Sequence, residues 1–481
     1  MISIRPVFNI ISFLVFFLGL GMLVPALADL AVGHKDWKAF VLASAFTVGI
    51  SGAIYLSTRD DKMEPLSIRQ TFLLTTLAWV VTGLVCSVPL MWSTLKLDVT
   101  DAVYEAMSGL TTNGGTVIVG LDSAPPGVLL WRALLNWFGG ISIIVMAIAI
   151  LPVLRVGGMQ LFRTESSDRS EKPFATLRDT ANAIALIYVT LTVISAVGYR
   201  LAGMPTFDAI CHAMSSVSTG GFSTKDASIG AFGSLSVMWV TTFSMIAGSL
   251  PLTWYIRMTR GSGRFWDEQI RVFFAVVFIA GAVISVYAWQ WVGLPFAQAF
   301  GHGFMNAVSI VTVTGFVSTD YSAWGSFAVG AFFFFVFIGG CTGSTSGSVK
   351  IFRWLILFKG MSIQMTRMVQ PNRVVMPLYE GKPISDDVIE SVINFVIAYI
   401  VAFAALSILL SSLGLDFLTA SSAVASSLAG AGPGLGPLVG PAGTYAPLPD
   451  AGKWILTVAM VLGRLEVFTA LVLLSPGFWR S

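Results

Sequence analysis

The chain has 481 residues, 55% of them hydrophobic and only 11% charged, with a formal net charge of +3. A soluble domain carries about 25% charged residues, so this composition cannot cover a globule with polar surface, and the thin positive balance offers no basic face for nucleic acid. Several apolar runs exceed the roughly 20 residues that a helix needs to cross a bilayer, which predicts an all-α polytopic membrane protein.

The N-terminal stretch MISIRPVFNIISFLVFFLGLGMLVPALADL has a basic start and an apolar run from Val7 to about Leu27. Ala26-Leu27-Ala28 resembles a signal-peptidase site, yet a signal h-region is only about 7–15 residues, so the run reads as a retained spanning helix. In chain order the predicted spans are 7–30, 37–57, 71–93, 127–152, 180–203, 233–256, 270–293, 326–355, 389–413 and 451–475. Four shorter segments lie between alternate pairs, near 99–116, 206–223, 296–317 and 416–435. Each has a helix-compatible apolar part too short to cross, then a glycine-containing stretch. Cys86, Cys211 and Cys341 stand far apart in apolar or small-residue surroundings. Neither they nor His34, His212 and His302 have metal-ligand or redox spacing.

Charge orients the chain. With the N-terminus inside, segments 1–6, 58–70, 153–179, 257–271, 350–388 and 476–481 hold 20 of the 28 Lys and Arg, as the positive-inside rule expects. The four short segments then fall on the outer side, which carries more acid than base, including Asp29, Asp98, Asp101, Glu105, Asp208 and Asp416. Such an excess concentrates cations at an outer mouth.

The short segments are copies of one phrase. DAVYEAMSGLTTNGG at 101–115 aligns with DAICHAMSSVSTGGF at 208–222, which pairs Gly114 with Gly221. HGFMNAVSIVTVTGF then places Gly315, and TASSAVASSLAGAGPGLG places Gly432. A serine stands six residues before each glycine: Ser108, Ser215, Ser309 and Ser426. The pattern is a helix, short segment, helix unit occurring four times. Irregular backbone at membrane depth is tolerated only inside protein or along a water-filled cavity. Four such loops converging on one axis could supply a ring of carbonyl oxygens that replaces a monovalent cation's hydration shell. Close helix packing through small residues is the simpler account of any single copy, but not of four in register.

A family resemblance rests on these words together with GGMQLFRTESSD (157–168), GGCTGSTSGSVKIFR (339–353), GPGLGP (432–437) and GRLEVFTALVLLSPGFWR (463–480), which extend over essentially the whole chain. They resemble the Trk/Ktr/HKT superfamily of potassium transporters, and most closely its bacterial TrkH-type members. The resemblance implies four non-identical helix–pore loop–helix repeats around one pore, preceded by two extra N-terminal helices. The corresponding divisions are 1–67 for the two extra helices, then 68–156, 157–263, 264–370 and 371–481 for the repeats. By position, the potassium-binding filter would comprise Thr111, Thr112, Asn113 and Gly114; Ser218, Thr219, Gly220 and Gly221; Thr312, Val313, Thr314 and Gly315; and Ala429, Gly430, Ala431 and Gly432. Potassium would sit at their backbone carbonyls as substrate, with no organic cofactor. Asn113 departs from the Thr common there in the family, and Gly430 and Ala431 replace a polar and a bulkier apolar residue. All four filter glycines are present, which favours potassium.

The stretch FFFFVFIGGCTGSTSGSVKIFRW is too rich in glycine and hydroxyl residues for an unbroken helix. A break in mid-span should line the cavity or serve close packing, and it does not meet the Walker pattern GxxxxGK[ST]. The resemblance implies a gate here below the filter, formed by Gly339, Gly340, Gly343, Ser344, Thr345, Gly347 and Lys350. Arg464 lies among apolar residues and costs at least about 2.5–3.5 kcal/mol at a helix centre, so it should face a cavity or a partner. In the family an Arg at this position adjoins the gate. A pair with Glu466 is the structural alternative, although residues i and i+2 do not share a helix face.

The expected function is gated, channel-like potassium uptake across the bacterial inner membrane, with both termini cytoplasmic. The resemblance implies a homodimer seated on a cytosolic TrkA-type nucleotide-binding ring. Nothing in this chain resembles a nucleotide site. The alternative is an ion-coupled symporter carrying potassium with H⁺ or Na⁺, which calls for two inverted repeats and midplane ionisable groups. An intramembrane enzyme lacks its chemistry here, with neither HExxH nor a Ser/His constellation.

Overall fold

A computed structural model describes residues 4–59, 66–149, 177–259, 266–373 and 375–479. The motif at 157–168 and the basic residues Arg155, Arg163, Arg169 and Lys172 lie outside the described residues. Among the described residues the regular structure is helical apart from one small hairpin, β1 (Leu378–Tyr379) and β2 (Lys382–Pro383), paired antiparallel with Leu378 opposite Pro383.

Helices α1 (Arg5–Gly21), α2 (Leu23–Ala31) and α3 (Trp37–Thr58) come first. Four units of long helix, short helix and inner helix follow. The first is α4 (Ile68–Trp92), α5 (Val99–Leu110) and α6 (Pro126–Ala149). The second is α7 (Leu177–Leu201), α8 (Thr206–Val217) and the pair α9 (Leu235–Ser249) and α10 (Leu252–Thr259). The third is α11 (Glu268–Gln290), α12 (Phe296–Val311) and the pair α13 (Ser326–Phe335) and α14 (Ile351–Val369). The fourth is α15 (Asp386–Ser411), α16 (Phe417–Ala429), α17 (Asp450–Arg464) and α18 (Phe468–Leu474), closed by α19 (Pro476–Trp479).

Local chemistry starts these helices where the sequence supplies a cap. Ser67 and Gln70 form a reciprocal capping box on α4. Asp98, Asp267 and Asp416 each accept an amide of the first turn of α5, α11 and α16, at 2.7, 2.9 and 3.0 Å. Pro205 and Pro295 precede α8 and α12, where a missing N–H costs nothing.

Among the described residues six helices are long and apolar enough to span, and the bent pair α9–α10 makes a seventh. The expected span 127–152 runs as α6 to Ala149. Among the described residues, three of the ten expected spans contain a sharp bend or a stretch of irregular backbone. Span 233–256 bends by 89°, because Pro251 drives Leu250 into an extended conformation at ψ 150°. Span 326–355 ends as a helix at Phe335, and the chain is irregular to Ile351, in keeping with its glycine-rich composition. Span 451–475 breaks after Arg464, where Glu466 and Val467 are both left-handed.

Each short helix packs between the long and inner helices of its own unit, and the first three also meet an inner helix of a neighbour. α6 packs on α8, α9 on α12, and α17 on α5, so the units follow one another around a common axis. Phe17, Leu42, Phe278, Val401 and Ile408 are exposed on the periphery, as suits a protein dissolved in lipid. The short helices are deep inside: every residue of α5 from Ala102 and of α16 from Thr419 is buried.

Candidate functional site

The short helices end in strips of nearly identical backbone. The second residue of each strip is left-handed: Thr112 at φ 50°, Thr219 at 50°, Val313 at 53° and Gly430 at 83°. So is the fourth, with Gly114 at 87°, Gly221 at 73°, Gly315 at 87° and Gly432 at 85°. The first and third residues are not, and in the second unit it is Gly221 rather than Gly220 that turns left-handed. Alternation of hand along a peptide lays successive N–H groups on one side and carbonyls on the other.

The N–H side is taken up by the helix. The third-residue amides of Asn113, Gly220, Thr314 and Ala431 donate to the carbonyls of Ser108, Ser215, Ser309 and Ser426 at 2.8, 2.8, 2.8 and 2.9 Å. Second-residue amides donate one turn back, to Gly109, Ser216, Ile310 and Ser426. The helix C-terminus, with its partial negative charge, thus folds over its own strip and leaves the strip carbonyls on the far side.

The strips close into a ring. A side chain placed at Gly114 would meet the Gly220 carbonyl, one at Gly221 the Thr314 carbonyl, and one at Gly315 the Ala431 carbonyl. One at Gly432 would meet the Asn113 carbonyl, which returns the series to its start. Each fourth-residue glycine therefore abuts the third-residue carbonyl of the next unit, and the order is one, two, three, four, one. Only glycine combines this approach with that φ.

One end of the ring is covered by the irregular stretch 336–350. Ser346 Oγ donates to the Thr312 carbonyl at 2.8 Å, and the Ser348 amide donates to the Ala429 carbonyl at 2.9 Å. Thr345 Oγ1 lies 3.2 Å from Thr219 Oγ1, and 3.0 and 2.9 Å from the Val217 and Gly248 carbonyls. Arg464 donates to Thr112 Oγ1, and its other arm is 3.4 Å from the Thr345 carbonyl. All four strips are thereby touched. Gly339 and Gly343 are left-handed turns. The Gly340 carbonyl accepts the first amide of α14, and a side chain on Gly347 would strike the Ala429 carbonyl. Ser344 Oγ donates to the Cys341 carbonyl at 2.6 Å, tightening the turn.

Arg464 does not pair with Glu466. Glu466 accepts from Arg353, whose guanidinium also lies 3.9 Å over the Phe395 ring. The helix break between Arg464 and Phe468 permits this by sending the two side chains to different partners. Lys350, left-handed and buried at the start of α14, lies in the same region. Lys350, Arg353 and Arg464 against Glu466 leave an excess of positive charge beneath the ring.

Two further buried cations lie toward the outer ends of their helices, well away from Arg464. Arg132 is buried in α6 against Glu105 at 2.7 Å, and Lys453 of α17 reaches Asp101 of α5 at 2.5 Å. The signal for Arg132 was its position inside span 127–152, which a topology count assigned to the outer end. Tyr445, which no motif marks, donates its hydroxyl to the Gly432 carbonyl at 2.8 Å and its backbone amide to the Thr116 carbonyl at 2.9 Å. The Asn113 side-chain amide is buried, and neither its Oδ1 nor its Nδ2 has a protein partner.

Comparison with known proteins agrees with this architecture. The family model TrkH, described as a cation transport protein, matches residues 37–480. The Trk system potassium uptake protein TrkI of Halomonas elongata is 40% identical over 99% of this chain and 97% of its own. TrkH of Escherichia coli K12 is 36% identical over 99% of both chains. The crystal structure of the potassium transporter TrkH from Vibrio parahaemolyticus superposes with a TM-score of 0.91 at 35% identity, covering 99% of this chain and 100% of that one.

Proposed function

The chain belongs to the TrkH cation transport family, and from that premise we propose that it carries potassium ions across the membrane through the ring of four strips. The closed sequence of glycine-to-carbonyl contacts carries this reading. Carbonyls from four strips with their N–H groups turned away can replace the hydration shell of a dehydrated monovalent cation. Four helix C-termini directed at the ring add to the attraction. The ion itself is the substrate, and the division into repeats at 68–156, 157–263, 264–370 and 371–481 follows the same reading.

The stretch 336–350 acts as the gate. Its contacts with three strips, together with that of Arg464 on the fourth, support closure, and the positive charge of Lys350 and Arg464 opposes cation occupancy below the ring. Opening requires Ser346, Ser348 and Thr345 to release the strips and Arg464 to leave Thr112. The membrane is the bacterial inner membrane with both termini on the cytoplasmic side, consistent with the excess of Lys and Arg on that face. By family resemblance the functional unit is a homodimer on a cytosolic TrkA-type ring, which supplies nucleotide control. Four units sharing one ring favour a channel-like path over an ion-coupled symporter built from inverted repeats.

Purified protein in liposomes should take up K⁺ and Rb⁺ well ahead of Na⁺ and Li⁺. Equal permeation of Li⁺ and K⁺ would exclude a selective carbonyl ring.

A further inference from the structure

We propose that a buried hydrogen-bonded chain, Glu105–Arg132–Ser223–His212, is a positioning device behind the ring that fixes the junction of the first two strips and with it the discrimination of potassium from sodium. The inference rests on the translocation reading above.

Each short helix ties down the chain just beyond its own glycine. Glu105 Oε2 accepts the Val117 amide at 2.9 Å, and the carboxylate accepts the Thr116 hydroxyl at 2.9 and 3.0 Å. His212 Nε2 lies 2.9 Å from Ser223 Oγ. Asn306 Oδ1 accepts the Ser318 amide at 3.0 Å, and Ser422 Oγ accepts the Leu435 amide at 2.9 Å. Glu105, His212 and Asn306 stand at equal distance before their glycines, and Ser422 is one residue earlier. One fastening thus recurs four times in four chemistries.

The first two are joined to each other. Arg132 Nε donates to Glu105 at 2.7 Å, and its Nη1 donates to the Ser223 carbonyl at 2.7 Å. The guanidinium also stacks 4.1 Å from the Phe222 ring centroid. His212 Nδ1 is 2.8 Å from the Asp208 carbonyl, which can only accept, so that nitrogen carries the proton and Nε2 accepts from the Ser223 hydroxyl. Ser223, two residues beyond Gly221, is therefore held by its carbonyl from unit one and by its hydroxyl from unit two. Glu105, Arg132 and His212 are all fully or almost fully buried.

Charge-assisted hydrogen bonds in a low-dielectric interior are stronger than neutral ones. The junction of strips one and two is therefore stiffer than the ties that Asn306 and Ser422 make. Selection between two monovalent cations depends on carbonyl spacing and field, and a stiff junction resists collapse onto the smaller ion. A pair serving only to fold the protein would alter yield and thermal stability while scaling both fluxes equally.

The test is the ratio of K⁺ to Na⁺ uptake by full-length protein in liposomes, alongside thermal unfolding. Glu105→Gln/Arg132→Gln removes the charges together and leaves no orphan ion. Arg132→Lys keeps the positive charge but loses the second arm to Ser223. Ser223→Ala removes only the hydroxyl tie. The ratio should fall by about tenfold in the first two, as expected for loss of a charged hydrogen bond, and by less in Ser223→Ala. Glu105→Asp should recover part of it. An unchanged ratio in Arg132→Lys and Ser223→Ala at wild-type yield overturns the proposal, whether or not the double variant inserts. Failure of the unaltered protein to take up potassium would instead count against the translocation reading.

Discussion

The guanidinium of Arg464 donates to the hydroxyl of Thr112, 352 residues earlier in the chain, and so fastens the broken last inner helix to the first strip. With its other arm beside the Thr345 carbonyl, this side chain touches the ring and the stretch that covers it. A cation about 6 Å from the guanidinium would be repelled by roughly 3 kcal/mol at an effective dielectric of about 20. Arg464→Ala should raise potassium flux in liposomes by about tenfold or more. A fall in flux at normal yield would mean that Arg464 assists conduction.

The cover itself gives a second expectation. Deleting Gly343–Ser348 removes the groups that engage Thr219, Thr312 and Ala429, and should raise basal flux. Ser346→Ala loses a single hydrogen bond to the ring, worth about 1 kcal/mol, and should give a smaller rise. Flux that stays level or drops in the deletion, with normal membrane insertion, contradicts a gating role.

Gly315 and Gly430 are both left-handed but stand in different surroundings. A side chain at Gly315 would overlap the Ala431 carbonyl, whereas at Gly430 the nearest atom is the Thr112 carbonyl at 3.8 Å. Gly430→Ala should therefore show mainly the backbone penalty, about 1–2 kcal/mol in unfolding free energy. Gly315→Ala or Gly315→Ser should in addition lower the K⁺/Na⁺ flux ratio. Equal effects of the two substitutions on that ratio would remove the ring geometry as the cause.

Glu466 and Arg353 form a buried pair across the break in the last inner helix. Glu466→Gln removes the buried anion that pairs with the Arg353 guanidinium and should cost about 3–5 kcal/mol, seen as a lowered unfolding temperature in detergent. Glu466→Gln/Arg353→Met should recover most of that loss. If the double variant is no more stable than the single one, the pair does not act as a unit.

The fourfold plan was legible because its marker is backbone chemistry. Ser108, Ser215, Ser309 and Ser426 mark the carbonyls that receive the third-residue amides, and a small residue there lets the strip fold back closely. The break at 336–350 was visible in its glycine and hydroxyl density, and the bend at Pro251 could have been read from the proline alone. The break after Arg464 was not legible. Glu466 and Val467 are left-handed without being glycine, and the side chain of Glu466 is held by Arg353, 113 residues away. Arg132 was hidden for a related reason. Hydropathy places a residue along the membrane normal but does not say which way it faces, and its role depends on Glu105 and on Ser223 of the next unit.

The four unlike fastenings behind the ring have an evolutionary consequence. An assembly of four identical subunits must carry the same side chain at every corner, so any substitution appears four times at once. Here Glu105, His212, Asn306 and Ser422 can each drift alone. Selectivity can then be tuned one quarter at a time, while neither of the first two quarters can be exchanged for a later one without costing Arg132 a partner.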